Sequence, residues 1–217
     1  MLNISSYRKW FANYVADCRS SSQIPINHID LYEKHTLNVC EHIINICGSL
    51  SLTQYEKNLA ETIALFHDLA SFEQLWEYQH KLLASYPSTT LKRTDVENIF
   101  AGCTEREHEI IRIVIASHNL QTLPISDDSE VLFYSRLIRD ADKLDLWRQM
   151  AEQCKQKNNS VYHFIWPHFE DTQEMSDIIL KTINENATAL FTNVNTLNDF
   201  KLLWISWIFD LNFTESF

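Results

Sequence analysis

Glycine and proline are almost missing from this chain, at 2 and 4 of 217 residues. Tight hairpins and glycine-rich phosphate loops need residues that tolerate positive φ. Their shortage disfavours a sheet-rich fold and phosphate binding of the P-loop or Rossmann kind, and it suits long helices. No run of eighteen apolar residues occurs, so no membrane span is expected. The opening segment MLNISSYRKWFANYVADC lacks the apolar core of a signal peptide. Positive charge is also short, with 18 Lys and Arg against 29 Asp and Glu and a formal net charge of -11. An acidic surface repels a phosphate backbone. The expectation is a cytoplasmic protein with no nucleic-acid or membrane partner. The five cysteines, at 18, 40, 47, 103 and 154, form no CxxC pair. That fits reduced, mostly buried thiols better than a disulfide frame or a zinc knuckle.

What the chain does have is apolar periodicity near 3.6. Trp10, Phe11, Tyr14, Val15 and Cys18 mark one side of an N-terminal helix. Ile29, Tyr32, Thr36, Val39, Ile43, Ile46 and Cys47 mark a second over residues 28–48, with Gly48 as its stop. Thr53 with Glu56, and Thr104 with Glu107, are capping-box pairs that open helices running to about His67 and His118. Further helices are expected over 71–84 and 129–148, with 87–104 as a loop. Two amphipathic segments follow, near 172–190 and 196–210. The second, carrying Leu202, Leu203, Trp204, Ile205, Trp207, Ile208 and Phe209, is too apolar to be left in water. It either packs on the domain or forms a homo-oligomer contact. The expectation is therefore all-α: a single-domain bundle of about eight to ten helices. Its parts are an N-terminal helix (1–27) packed on a core (28–150), and a helical extension of the same domain (151–217).

Three segments carry residues suited to chemistry. His67-Asp68 closes the apolar helix IALFHD, where a charged Asp is costly to bury unless paired or metal-bound. IRDADKLDLW, residues 138–147, sets Asp140, Asp142 and Asp145 into an apolar helix. Asp142 and Asp145 share a face, and Asp140 lies roughly 160° from Asp142. A divalent cation, or Arg139 and Lys143, would offset the repulsion among these carboxylates. The third segment is YEKHTLNV, around His35. His28 and His42 fall seven residues either side of it, about 10 Å along a helix axis, too far to share its ion. Taken singly, His67-Asp68 reads first as a solvated helix end and His35 as a hydrogen-bonded core or surface histidine, while 138–147 reads equally as a salt-bridged helix surface. A His, then a His-Asp pair, then a distant Asp, each on its own helix, is a way to converge ligands in a bundle. Two imidazoles and two carboxylates suit Mn, Fe, Co, Ni or Zn with positions left for water and substrate.

The order His35, His67-Asp68, Asp142 resembles the HD-domain superfamily of metal-dependent phosphohydrolases. The blocks KHTLNV, LFHDLASFEQ, IASHN and IRDADKLD are similar to one bacterial branch of it, over about residues 28–150. The resemblance implies that His35, His67, Asp68 and Asp142 hold a divalent metal ion (Mn, Fe, Co, Ni, Zn or Mg). It places the ligand at Asp142, after Ala141, with Asp140 beside the site to orient a ligand histidine. It implies a water-based attack on a nucleotide or other small phosphate ester, with Asp68 orienting or deprotonating the water and His118 or Lys143 neutralising phosphoryl charge. Ala70-Ser71 stands where the branch usually has Gly-Arg. Asp95 and Glu97 stand near the place of a further histidine of binuclear relatives, so one metal is expected. Glu73 and Gln74 either reach the site or start a helix, and His163 and His168 belong to a lid or to packing. The alternative to an enzyme is a metal- and nucleotide-binding module with a sensing or scaffolding role.

Overall fold

The computed structural model describes residues 2–20, 26–69, 99–155, 169 and 172–216, apart from the side chains of 153 and 154. Among these residues the protein is all-α, with seven α-helices and no strand. The helices are α1 (Ile4–Ser20), α2 (Ile26–Ser49), α3 (Gln54–Phe66), α4 (Glu105–Ser117), α5 (Ser129–Lys155), α6 (Asp177–Asn184) and α7 (Leu197–Ser206). The helix expected over 71–84 and residues 87–98 of the loop expected over 87–104 lie outside the described residues; the rest of that loop holds one 3-10 turn, Phe100–Gly102.

Local chemistry accounts for the helix ends. Thr53 and Thr104 cap α3 and α4 with the full reciprocal capping box, through Glu56 and Glu107. A third such box, Thr196 with Asp199, opens α7. Gly48 does not stop α2. The helix runs to Ser49 and closes through Ser51, which adopts φ 55°. The Leu52 and Ser51 amides then donate to the carbonyls of Cys47 and Gly48. This closure usually falls to glycine, and here serine bears the strain. Asn186, also at φ 55°, closes α6 in the same way.

By internal contacts the chain divides into two compact units, residues 1–145 and 146–217. In the first, α3 packs against α1, α2 and α4. Phe66, the last residue of α3, is fully buried and meets Tyr7 and Phe100 edge-on, with ring centroids 5.9 and 5.0 Å away. That aromatic wedge fixes the end of α3, one residue before His67. Along α5 the five residues from Leu137 to Ala141 are all buried. No solvent face exists there, so carboxylates on this stretch need partners inside the protein.

In the second unit Ile179, Phe200, Leu203 and Trp204 form the core, with Leu146, Trp147 and Met150 packed on it. The apolar tail thus does pack, although Ile205, Ile208 and Phe209 stay exposed. Asp199 is fully buried and accepts from the Ser176 amide (2.7 Å), the Ser176 hydroxyl (2.6 Å), and the Asn195 and Thr196 amides (3.0 and 3.2 Å). No described helix is long and apolar enough to cross a membrane.

Candidate metal centre

Helices α3 and α4 end alike. Each finishes on a histidine, His67 and His118, whose Nδ1 lies 2.7 Å from the carbonyl three residues back, of Ala64 and Ile115. A carbonyl oxygen only accepts, so Nδ1 carries the proton and donates. In the neutral ring Nε2 is then a bare lone pair. Both rings also sit at helix C-termini, whose partial negative charge favours a nearby cation.

The two rings meet edge to face, with centroids 5.1 Å apart. Asp68 follows His67 directly, and its Oδ1 is 3.8 Å from His118 Nε2. His35 comes from the middle of α2, its ring centroid 5.4 Å from that of His67. Its Nδ1 is 2.7 Å from Asp145 Oδ2, and its Nε2 is 3.2 Å from Asp142 Oδ1 and 3.9 Å from Asp68 Oδ2. The same Asp142 oxygen lies 3.9 Å from His67 Nε2. One donor atom from each of His35, His67 and Asp68 falls within 4.8 Å of the others, and this trio has the geometry to hold a metal ion. Two ligands on opposite sides of one ion at ordinary bond lengths are about 4.2 Å apart. The quoted separations of 3.2–3.9 Å among these side chains lie under that span.

The electrostatics are unbalanced without a cation. Burial lowers the pKa of His67 and keeps its ring neutral. Its Nε2 is buried and has no hydrogen-bond partner among the described residues. An orphaned acceptor of this kind costs about 1–3 kcal/mol, and here it faces carboxylates, which cannot donate to it. His35 responds in the opposite sense. Burial pulls its pKa down, but the hydrogen bonds to Asp142 and Asp145 outweigh this and push it up to about 10. Asp142 is held well below the usual carboxylate range, because its bond to His35 overcomes the burial that would raise it. A proton between His35 Nε2 and Asp142 thus supplies part of the positive charge the cluster calls for. The imidazoles are shut in, with side chains 1% exposed at His67 and 6% at His35, whereas Asp68 and Asp142 are 22% and 18% exposed. Solvent reaches the centre from the carboxylate side.

The structure therefore brings His35, His67, Asp68, Asp142 and His118 together. Lys143 follows Asp142 directly; it is buried, and its Nζ donates to the Arg139 carbonyl, one turn back on α5, at 3.4 Å. The carboxylate on His35 Nδ1 belongs to Asp145. Asp140 is fully buried two residues before Asp142. Three residues carry weight that the sequence reading did not give them. Asp145 and Asn38 each lie three residues past a site residue, on the same helix face, and that spacing was a usable signal. Arg139 donates to the carbonyls of His118, Leu120 and Gln121, and so ties down the loop that follows α4. No spacing rule pointed to that contact. Ala70, Ser71, Glu73, Gln74, His80, Asp95, Glu97, His163 and His168 lie outside the described residues. Comparisons with family models, with curated proteins and with solved structures give no match for this chain.

Proposed function

We propose that this chain is a metal-dependent phosphohydrolase of the HD-domain type, acting on a nucleotide or other small phosphate ester in the cytoplasm. The observation that carries this reading is the orphaned Nε2 of His67. It is a buried lone pair beside carboxylates and a further imidazole, and a cation bound there would satisfy them together. His35, His67, Asp68 and Asp142 hold the ion, and their mixed N and O donors suit Mn, Fe, Co, Ni or Zn better than Mg, which prefers oxygen alone. When bound, such an ion polarises a phosphoryl oxygen and makes a nearby water more acidic.

The side chains supply the rest. Asp68 is the most exposed carboxylate of the cluster and takes a proton from the attacking water. The water oxygen bonds to phosphorus as the bond to the ester oxygen breaks on the opposite side, and that leaving oxygen takes up a proton from solvent. His118, with Nε2 beside Asp68, faces the phosphoryl group and offsets its growing negative charge once protonated. Lys143, buried one residue after Asp142 with one N–H on the Arg139 carbonyl, is the alternative cation for that role.

The test is metal analysis of protein purified without added metal, joined to a phosphomonoesterase and phosphodiesterase screen of wild type against Asp68→Ala. The expected result is about one ion per chain, with turnover that falls by about 10²–10⁴ in the variant. Stoichiometric metal with no turnover on any phosphate ester would leave a binding module in place of the enzyme.

A further inference from the structure

His67 and His118 both fix their rings on main-chain carbonyls, and His35 alone among the three uses a carboxylate. That carboxylate is itself held. Asp145 is fully buried; its Oδ2 meets His35 Nδ1 at 2.7 Å, and its Oδ1 accepts from Asn38 Nδ2 at 2.8 Å. Asn38 sits one turn after His35 on α2, so one face of α2 grips Asp145 of α5 at two points. We propose that Asp145, clamped by Asn38, is a positioning residue of this centre: it holds the His35 ring with Nδ1 as proton donor, so that Nε2 faces the cluster as the ligand atom. The inference rests on the metal reading above and adds to it the device that selects the ligand nitrogen.

The physical reason lies in what each atom can do. A carboxylate only accepts, and Asn38 occupies one of its two oxygens with an N–H. The other oxygen is then left to receive Nδ1–H, and turning the ring over would break that bond. A carboxylate partner also makes Nε2 a stronger donor to a metal than a neutral carbonyl does. Asp145→Asn keeps the shape and removes the charge. Adding Asn38→Asp returns a carboxylate to the pair, while the amide oxygen now at 145 still accepts from His35.

Co²⁺ binding, followed by absorption, is one readout. The other is the downfield, slowly exchanging His35 Nδ1–H resonance, followed by proton NMR in the metal-free protein. Asp145→Asn is expected to bind Co²⁺ about 10- to 100-fold more weakly and to shift or lose that resonance. Asn38→Asp combined with Asp145→Asn is expected to recover part of the affinity and to regain the resonance. A folded Asp145→Asn with wild-type Co²⁺ affinity and an unmoved resonance would overturn the proposal. If that variant does not fold, the double variant decides: a folded double variant without the resonance also overturns it. Wild type that shows the resonance but takes up no Co²⁺ would remove the metal reading and leave the Asp145 clamp standing.

Discussion

Metal uptake near neutral pH should release one proton, and that proton belongs to His35. In the folded chain without a cation the His35 pKa is about 10, above its ordinary 6.5. The sign follows directly. The protonated ring contributes stability that is fully present below 6.5 and is lost as pH rises through about 10. Nε2 cannot bind a metal while it carries a proton, so the ion must displace it. His67 is already neutral, its pKa lowered by burial, and Asp142 is already ionised. One proton therefore leaves per ion. The apparent association constant should climb about tenfold per pH unit, or about 100-fold from about pH 6.5 to about pH 8.5. Calorimetric titration with Mn²⁺ in buffers of different ionisation enthalpy reads both quantities. A flat affinity over that range with no proton release would show that His35 is not a ligand. The metal-free protein should also lose stability to urea as pH rises towards 10, and bound metal should remove that dependence.

Four further outcomes are expected. His118→Ala should keep its metal and lose about 10²–10³ in kcat; full activity in the metal-loaded variant would take His118 out of the scheme. Arg139→Lys removes the planar fork that holds the 118–121 carbonyls, so kcat should fall while metal content, measured by elemental analysis, stays at the wild-type level. Asp199→Ala strips four donors of their shared acceptor and should cost about 2–4 kcal/mol in urea unfolding. The same carboxyl has a lowered pKa: burial opposes this, and the bonds from Ser176, Asn195 and Thr196 prevail. Its contribution is present above the ordinary carboxylate range and is lost as pH falls below it, which acid titration of wild type against the variant would detect. Thr53→Ala and Thr104→Ala should each cost about 1 kcal/mol by thermal melting, with no effect on metal content.

The parts of the fold that were legible in the sequence are those written in local chemistry. The boxes at Thr53 and Thr104 need only a side chain and an amide three residues away, and both formed as expected. The end of α2 was misread because glycine is the usual left-handed residue, whereas the chain uses Ser51 there at a local cost. The length of α5 was underestimated, since its apolar and charged residues alternate without a clear face. The reason is visible in the burial of every residue from Leu137 to Ala141: a helix enclosed on all sides has no amphipathic signature. The gathering of His35, His67, Asp68 and Asp142 was anticipated from order and motif. The partners that set their state were not, because hydrogen bonds such as His35 to Asp145, 110 residues apart, depend on tertiary placement alone.

Exposure separates the two roles open to such a centre. A metal that only braces a fold is closed in by its ligands, whereas a catalytic one keeps a position for water and substrate. Here the nitrogen donors form a sealed floor, with His67 1% and His35 6% exposed, and the open side is lined by Asp68 and Asp142. Bracing would be served as well by burying the carboxylates, as Asp140 and Asp145 are buried on the same helix. Under the proposed metal reading, two charged ligands at the solvent edge hold an ion less firmly, since water competes for them and screens their charge. That concession makes physical sense where something from solution has to reach the ion and leave again, which favours a site of turnover over a structural staple.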